Sequence, residues 1–329
     1  MKERAAQEKR QAKEEGLSNL CLLALAAALV GLASPWLAHL WLGFDALSHF
    51  IPHFALLAAG AFLCMLFPDR RGLAVAISLP ILSALLVAGV SAWHASPGFG
   101  TPPEQGRIRL MGFNILSRNH DLDAIEAEVR RNRPDILAMP EFHKDKWPLH
   151  ARLRNMFPHQ ANCAYKKYCN LALFSRWPID SVKAASRWAG PPYLHAVVRT
   201  PQGPVHVFVV HTLRFPWLGS QYRQMGAMAR IVLLQKGPVI VMGDFNASPF
   251  SITLDRFLKE TGLTRLTWLP TWPAWPLRLP QFAIDHVLVS RHWRLAAGPW
   301  VGRPAGSDHL PVILELTRAP GAAQKAPVR

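Results

Sequence analysis

Residues 17–94 constrain the fold of this chain more than any other segment, because they carry almost no charge. The acids and bases among them are Asp45, Asp69, Arg70 and Arg71. The apolar blocks 17–42, 47–67 and 72–93 are each long enough to cross about 30 Å of hydrocarbon as a helix. A cleaved signal peptide would need a small-residue cleavage site soon after the first block, and two further apolar blocks follow instead. We therefore predict a three-helix transmembrane anchor over residues 17–94; the alternative is a buried helical bundle in water.

The basic residues around these blocks predict the orientation of the chain in a membrane. Five Lys and Arg precede the first block, none separates the first from the second, and Arg70 and Arg71 separate the second from the third. The positive-inside rule then places a tail, residues 1–16, and the arginine pair in the cytoplasm. Three crossings put everything after Trp93 on the other side. The predicted protein is a multi-pass protein of the inner or plasma membrane with a periplasmic or extracellular domain.

The net charge of +16 lies almost wholly after the apolar blocks. From residue 95 onward the chain has 30 Lys and Arg against 15 Asp and Glu. This excess favours an anionic partner such as a phosphate ester, nucleic acid or an acidic lipid surface, although a generally basic proteome would also produce it. Residues 95–106 form a Pro- and Gly-rich linker of roughly 35 Å when extended, which would hold the next domain close to a bilayer. Residues 319–329 are predicted to be a flexible tail.

Residues 107–318 alternate between strand and helix patterns. Short apolar or alternating runs that are typical of strands occur at 107–113, 135–139, 171–174, 194–199, 205–210, 239–242, 284–289 and 312–316. Helical patterns occur at 122–132, 147–157, 220–234 and 251–260. About eight strands with interspersed helices predict an α/β domain, either a two-sheet sandwich with helices outside or a doubly wound sheet.

Polar side chains recur where these strands begin or end. Asp244 and Asn246 follow the buried run 239–242, and residues two apart in an extended segment face the same way. Taken singly, each polar residue has a structural explanation as a turn former or a cap. Neighbouring strand ends converge in space, however, so side chains at several ends can build one site on rigid elements. The full set is Asn114, Glu141, His211, Asp244, Asn246, Asp285, Asp308 and His309.

The motifs at these positions resemble the endonuclease/exonuclease/phosphatase superfamily. They read FN at 113–114, E at 141, NLALFSR at 170–176, H at 211, GDFN at 243–246, IDH at 284–286 and SDH at 307–309. GDFN and SDH in this order and spacing are specific, whereas FN or a lone Glu is a weak signal. The resemblance covers residues 107–318. With the apolar blocks and TWP at 271–273, the chain is similar to a membrane-anchored bacterial branch of the superfamily.

The resemblance implies a four-layer α/β/β/α sandwich that hydrolyses a phosphoester with one divalent ion, Mg²⁺ or Mn²⁺. The implied ligands are Glu141, Asn114 and Asp308, and Mg²⁺ does prefer oxygen ligands while keeping several waters. The ion would polarise a phosphoryl oxygen and neutralise charge in the transition state. Asn170 would help to place the catalytic groups.

The resemblance also implies the roles of the remaining site residues. Asp244 would orient or deprotonate the attacking water, and Asn246 would hold phosphate or water beside it. His309 would bind the phosphoryl oxygens or protonate a group there, while Asp285 would fix its ring and favour its charged form. His211 would donate to the phosphate or protonate the leaving group.

Two departures from the family pattern bear on function. Pro140 precedes Glu141 where the family usually has Gln, so one supporting hydrogen bond is expected to be missing. His211–Thr212–Leu213 replaces a tyrosine-containing segment of abasic-site repair enzymes, which favours the phosphatase, sphingomyelinase and general nuclease branches. We predict a membrane-tethered phosphoesterase that acts on a phosphodiester or phosphomonoester, with a lipid head group or nucleic acid as the substrate. The alternatives are an extracytoplasmic nuclease for DNA or RNA and a non-catalytic module that binds anionic ligands; no protein partner is inferable.

Four cysteines are too few for a disulfide scaffold. Cys163 and Cys169 bracket AYKKY, and a hairpin tip there would permit a disulfide outside the cytoplasm; the alternative is two free thiols. Cys21 and Cys64 lie in apolar blocks and are predicted to be packing residues. The Trp- and Pro-rich loop 268–282 either packs its own indoles or forms an aromatic rim over the active site that stacks bases or enters lipid head groups.

Overall fold

The computed structural model of the chain describes residues 2–66, 70–163, 169–186, 193–274, 277 and 279–320. The chain divides into two compact units. The first unit comprises Met1–Gly89 with Phe250–Ile252, and the second comprises Val90–Pro249 with Thr253–Arg329.

The first unit is helical. Its elements are α1 (Lys2–Leu32), α2 (Ser34–Leu37), a 3-10 turn (Leu42–Phe44), α3 (Asp45–Ser48), α4 (Ile51–Leu66) and most of α5 (Arg70–Trp93). A disulfide between Cys21 and Cys64 joins α1 to α4. These two cysteines are buried, as expected of packing residues, but they form a covalent pair. The sequence does not reveal this pairing, because it depends on two helices bringing the Cα atoms to 6.3 Å.

The structure does not support the three predicted membrane spans. Among the described residues, one helix, Glu14–Leu32, is long and apolar enough to cross a membrane. A second candidate span exists only if the helices Leu42–Ser48 and Ile51–Leu66, which are bent by 73° relative to each other, act together. Ile81–Trp93, the last part of α5, is a shorter apolar stretch. The first predicted block is broken because Pro35, which lacks a backbone N–H, lies in the first turn of a new short helix. The predicted multi-pass topology is therefore not supported.

The second unit contains two six-stranded sheets with helices on their outer faces. Its first six strands are β1 (Arg107–Gly112), β2 (Ile136–Pro140), β3 (His159–Asn162), β4 (Leu171–Ser175), β5 (Ile179–Ala185) and β6 (Tyr193–Thr200). The other six are β7 (Gly203–His211), β8 (Val239–Asp244), β9 (Thr264–Arg265), β10 (Asp285–Val289), β11 (Trp293–Val301) and β12 (Val312–Arg318). The helices are α6 (Leu122–Asn132), α7 (Pro148–Arg152), α8 (Leu218–Leu233) and α9 (Ile252–Thr261), with a 3-10 turn at Lys144–Lys146.

The strand order is β11-β12-β1-β2-β4-β3 in one sheet and β5-β6-β7-β8-β10-β9 in the other. Both sheets mix parallel and antiparallel pairs: β1–β2 and β7–β8 are parallel, and their other neighbours are antiparallel. The predicted four-layer α/β/β/α sandwich is confirmed, and the doubly wound alternative is wrong.

The central strands are buried on both faces, which explains their continuous apolar runs. In β1, Ile108 and Leu110 belong to the core between the sheets, whereas Met111 belongs to the core under α6 and α7. In β8, Ile240 and Met242 likewise belong to the core between the sheets, whereas Val241 packs under α8 and α9. Successive side chains of a strand point to opposite faces. The sheets are therefore rigid at their centre, and side chains at the ends of these strands are held in fixed positions.

Part of the predicted linker is fixed to the second unit. Ser96 N donates to Val301 O at 2.7 Å, and Phe99 N donates to Arg131 O at 2.8 Å. The guanidinium of Arg109 lies 3.8 Å from the centre of the Phe99 ring. Residues 96–99 therefore belong structurally to the domain that follows them.

Cys163 and Cys169 form a disulfide immediately before β4, with their Cα atoms 5.4 Å apart. The intervening residues 164–168 lie outside the described part of the chain. The disulfide closes the connection between β3 and β4 at the end of β4 that also carries Asn170.

Candidate active site

Three adjacent strands of one sheet bring three polar side chains into one row. His211 at the end of β7 pairs in register with Asp244 at the end of β8, and Asp244 pairs with Asp285 at the start of β10. Neighbouring strands lie about 4.8 Å apart. The row is therefore about 10 Å long from His211 to Asp285.

Asn114 connects this row to the other sheet. It follows β1, and its Nδ2 lies 3.2 Å from Glu141 Oε1 and 3.0 Å from Asp244 Oδ2. The same nitrogen lies 3.5 Å from His309 Nε2. Its Oδ1 accepts a hydrogen bond from Leu116 N at 3.1 Å. In this geometry Asn114 presents its amide nitrogen to both carboxylates as a hydrogen-bond donor. Its predicted role as an oxygen ligand of a metal ion stays a prediction.

His309 is oriented by two residues behind its ring. Nδ1 lies 2.8 Å from Asp285 Oδ2, and the Thr271 hydroxyl donates to that same oxygen at 2.5 Å. Nε2 faces the centre of the site, 3.8 Å from Asp244 Oδ2. Burial disfavours the charged imidazole, but the nearby Asp285 and Asp244 carboxylates outweigh it and raise the pKa of His309 to about 10. The geometry therefore holds a cationic imidazole with one N–H directed into the site.

Glu141 lies within reach of several hydrogen-bond donors. Ser117 N donates to Oε2 at 2.6 Å, and His211 Nε2 lies 4.0 Å from Oε1. Burial alone would raise the pKa of this carboxyl group. The charge of His211, the Ser117 N–H and the Asn114 amide together outweigh burial and lower the pKa of Glu141 to about 2. Glu141 is therefore ionised throughout the physiological range.

Asp244 has one oxygen held by the backbone and one directed into the site. Oδ1 accepts from Asn246 N at 2.9 Å, and Oδ2 lies 3.5 Å from His211 Nε2. Burial raises the pKa of Asp244, and the like charge of Asp285 adds to this effect, against the opposing charge of His309. A carboxylate whose pKa is raised is better suited to accept a proton.

The predicted orientation of Asn246 beside Asp244 is wrong. Asn246 has a φ of 45°, so the segment is not extended, and its Nδ2 donates to Thr212 O at 3.1 Å. Gln221 Nε2 in turn donates to Asn246 O at 3.1 Å. Asn246 therefore joins the ends of β7 and β8 instead of projecting with the carboxylate, because a left-handed residue interrupts the two-residue period of a strand.

The backbone is constrained at two positions next to the site. Gly243 has a φ of 138°, and a Cβ atom there would lie 2.2 Å from Val210 O on the adjacent strand. Only glycine allows this conformation and this close approach. Glu141 has a φ of 60°, which is uncommon for a residue with a side chain. Such conformations persist where the surrounding structure fixes them, and they cluster at functional sites.

The donor set fits a hard cation. Asp308 Oδ2 accepts from Trp272 Nε1 at 3.0 Å, whereas its Oδ1 is buried and has no hydrogen-bond partner in the described part of the protein. A buried carboxylate oxygen without a donor is costly unless a cation binds it. Atoms of Asp244, Asp285 and His309 also lie within 4.8 Å of one another, but the cationic ring of His309 has no free lone pair for a metal ion. Carboxylate oxygens dominate the site, and they are the ligands that Mg²⁺ and Mn²⁺ prefer.

Four supporting residues were missed by sequence analysis. Thr271 binds Asp285, Ser117 binds Glu141, and the Ser307 hydroxyl donates to Asn114 O at 2.7 Å while accepting from His309 N at 3.1 Å. The fourth is Gln221, a buried glutamine of α8. Ser307 and Thr271 lie inside the SDH and TWP motifs, so their proximity to site residues was a usable signal. Ser117 and Gln221 act through tertiary contacts that no local pattern reveals.

Asn170 is the predicted site residue with the least direct structural link to the others. It lies just before β4, and its carbonyl accepts a hydrogen bond from Phe142 N at 3.0 Å. Through this bond Asn170 fixes the backbone that follows Glu141. Its predicted role in placing the catalytic groups stays a prediction.

Comparison with known proteins gives a family and a fold. Residues 111–309 match the sequence model of the Endonuclease/Exonuclease/phosphatase family. A crystal structure of an endonuclease/exonuclease/phosphatase from Beutenbergia cavernae DSM 12333 superimposes with a TM-score of 0.51 at 20% identity, covering 65% of this chain and 72% of that one.

Two further crystal structures share the fold. SmcL superimposes with a TM-score of 0.50 at 16% identity, covering 64% of this chain and 99% of that one. Truncated Caenorhabditis elegans TDP2 superimposes with a TM-score of 0.50 at 14% identity, covering 64% of this chain and 97% of that one. At these identities the similarity establishes the fold and not the substrate.

Proposed function

The chain belongs to the endonuclease/exonuclease/phosphatase family of phosphoester hydrolases, and on that premise we propose that its site catalyses metal-assisted attack of water on a phosphoester. One observation carries this proposal. The amide of Asn114 lies within 3.5 Å of polar atoms from Glu141, Asp244 and His309. Asp244 ends β8 of one sheet, whereas Glu141 follows β2 and His309 precedes β12 of the other sheet. A hydrolytic site needs a base, an acid and cation-binding oxygens close together, and such an arrangement is stronger support than any motif.

A divalent cation, Mg²⁺ or Mn²⁺, fits the carboxylates of Glu141 and Asp308. Glu141 is ionised, and Asp308 has a buried oxygen without a donor. When bound, the ion supplies Lewis-acid polarisation of a phosphoryl oxygen and neutralises negative charge in the transition state. The amide nitrogen of Asn114 donates a hydrogen bond to Glu141 Oε1 and so fixes the position of that carboxylate.

The protein residues divide the proton transfers among themselves. Asp244 Oδ2, whose pKa is raised, takes the proton that the attacking water loses. His309, cationic and held by Asp285, donates its Nε2–H to a phosphoryl oxygen as negative charge accumulates there. His211, on the opposite side of Asp244, supplies the proton that the leaving oxygen needs. Water is thereby added across the P–O bond without a covalent intermediate.

The test is a phosphoesterase assay of the full chain in detergent with Mg²⁺ or Mn²⁺ and then EDTA. Glu141→Gln and His309→Gln should each lower kcat by about 100-fold or more, because each removes a charge that acts in the transition state. Glu104→Gln, an exposed acid of the linker, is the matched control and should retain the wild-type rate. The hydrolase proposal is contradicted if either active-site variant keeps the wild-type rate. It is also contradicted if the wild-type chain cleaves no phosphodiester, phosphomonoester, DNA or phospholipid, and the non-catalytic anion-binding module would then remain.

We also propose that α1 anchors the protein in a membrane with the catalytic unit outside the cytoplasm. Glu14–Leu32 is long and apolar enough to span a bilayer, and five Lys and Arg precede the apolar segment. The Cys163–Cys169 disulfide supports an oxidising compartment for the second unit. A phosphatase-type reporter fused after Gly106 should be active in cells, and a silent reporter at normal expression would contradict this orientation.

A further inference from the structure

Exposed aromatic residues lie at one end of the catalytic row. His211 ends β7, and the chain continues through a short segment, residues 214–217, in which all four side chains are exposed. Phe215 is 67% exposed and Trp217 is 54% exposed. Large aromatic side chains normally bury most of their surface, so two of them together beside a catalytic residue call for an explanation.

A second exposed aromatic group lies at the other end of the row. Thr271, which binds Asp285, is preceded by Trp268, which is 47% exposed and packs edge-on against His94 with ring centres 4.8 Å apart. The Ser91 hydroxyl donates to Pro270 O at 2.5 Å. Trp93, between these two contact residues, is 87% exposed. The last turn of α5 therefore contacts the loop 268–271, whose Thr271 binds Asp285.

We propose that the catalytic unit docks on a phospholipid bilayer through these four residues and takes its phosphoester from a lipid head group. We call Trp93, Phe215, Trp217 and Trp268 the aromatic rim. The inference rests on the proposed hydrolase function and names its substrate class. Phe215 follows His211 by four residues, and Trp268 precedes Thr271, which binds Asp285, by three residues. Each half of the rim is thus connected by a short segment to one end of the row from His211 to Asp285, which is about 10 Å long, so a lipid surface that contacts both halves would lie close to the site.

The composition of the rim favours a lipid surface. Indole rings prefer the level of the head groups, because one edge is polar and the body is apolar. Trp93 also ends Ile81–Trp93, an apolar helix, which is where the aromatic belt of a membrane protein occurs. Arg214, exposed beside Phe215, adds a positive charge that suits acidic lipids.

A single-stranded nucleic acid also stacks on aromatic residues, but it needs a basic groove that follows its backbone. The rim segment 214–217 offers one cation among four exposed residues, and Trp93 lies at the end of an apolar helix. Neither feature is what a groove for a polyanion requires. The lipid surface is therefore the occupant that the geometry favours.

The experiment compares two rates of the full chain reconstituted in vesicles. The vesicles contain phosphatidylglycerol, phosphatidylethanolamine, phosphatidic acid and sphingomyelin, and release of their head groups or phosphate gives the lipid rate. Hydrolysis of the water-soluble diester bis(p-nitrophenyl) phosphate by the protein in the same vesicles gives the second rate, which we call the soluble rate. The rim variant is Phe215→Ser with Trp217→Ser. The control is Leu233→Ser with Leu234→Ser, two exposed apolar residues at the other end of α8, about 24 Å away along the helix.

The rim variant should lower the ratio of lipid rate to soluble rate by about tenfold or more, since each large apolar side chain that leaves the lipid loses a factor of about ten in partitioning. The control variant should keep the wild-type ratio. An unchanged ratio in the rim variant overturns docking, even if both rates fall together.

Two results of the wild-type chain separate the inference from the function on which it rests. A wild type that cleaves the soluble diester or plasmid DNA, but no lipid in the vesicles, overturns the lipid substrate while preserving the hydrolase. A wild type that cleaves no phosphoester with either metal ion overturns the hydrolase itself.

Discussion

Replacing Lys146 by Met should weaken metal activation of the hydrolase without unfolding it. Lys146 is fully buried, and its Nζ donates to Ser117 O at 3.1 Å and to the Asp145 carboxylate. Ser117 in turn donates its N–H to Glu141 Oε2 at 2.6 Å. The buried ammonium group therefore fixes Ser117, the loop residue that orients Glu141, which we propose as a carboxylate ligand of the metal ion.

The structure sets the size of the effect. Residues that orient a metal ligand from outside the coordination shell typically contribute 10- to 100-fold to metal affinity, or about 1.4 to 2.7 kcal/mol. Methionine retains most of the volume of the lysine stem, so the loss of the hydrogen bond to Ser117 O should dominate, and the free energy of unfolding should fall by about 1 to 3 kcal/mol. Asp145 is partly exposed and lies 3.3 Å from His120 Nδ1, so it is not left as an isolated buried charge.

The assay is a Mn²⁺ titration of phosphodiesterase activity, which yields the half-activating metal concentration and kcat at saturation. Lys146→Met should raise that concentration 10- to 100-fold, with a smaller change in kcat. Lys144→Met, an exposed lysine of the same 3-10 turn, is the matched control and should behave as wild type. A normal half-activating concentration combined with a lower melting temperature would show that Lys146 is only a packing residue, and the reasoning would be refuted.

Three further predictions concern stability. Burial and the charge of His206 lower the pKa of His195 to about 4. Below pH 6.5 the unfolded chain therefore binds a proton that the native state does not bind. The free energy of unfolding should fall from pH 7 towards pH 4 by up to about 3 kcal/mol. Urea unfolding at several pH values checks this, and His195→Gln should flatten the profile. Gly243→Ala should cost about 3 kcal/mol or more and abolish activity, since its Cβ would lie 2.2 Å from a backbone oxygen; a soluble, active variant would contradict this. Serine at both Cys163 and Cys169 should destabilise the chain by about 2 kcal/mol in thermal melts, as expected for a short closed loop, and an unchanged melt would contradict the disulfide.

The sandwich could be predicted from sequence because its central strands are buried on both faces. Such strands read as continuous apolar runs, as in 239–242, and their ends are marked by polar residues. The helical unit was harder, because hydropathy measures whether a segment is apolar and not whether it is one straight helix. Pro35 divides the first apolar block, and the second block is bent by 73° between Leu42–Ser48 and Ile51–Leu66.

The sequence predicted which polar side chains lie close together at the strand ends, but it did not predict their orientations. Asp244 and Asp285 lie side by side because strand register places them there, and register is a tertiary property. Asn246 was predicted to face the same way as Asp244, and its left-handed backbone turns it towards Thr212. The Oδ1 atom of Asn114 accepts a hydrogen bond from Leu116 N, which directs the amide nitrogen towards Glu141 and Asp244. In these cases strand register or a specific hydrogen bond decides the direction of a side chain whose position alone the motif predicts.

The charge balance of the site gives an argument for a cation that is independent of family. Glu141 is ionised, and His309 supplies its positive charge chiefly to Asp285, which it contacts directly. His211, Ser117 and Asn114 stabilise the charge of Glu141, whereas the pKa of Asp244 is raised and Asp308 keeps a buried oxygen without a donor, so these two carboxylates are stabilised less. A phosphoester is also an anion, and these carboxylates would repel it. A divalent cation would remove both difficulties, because it would compensate the carboxylates and attract the phosphate to the site.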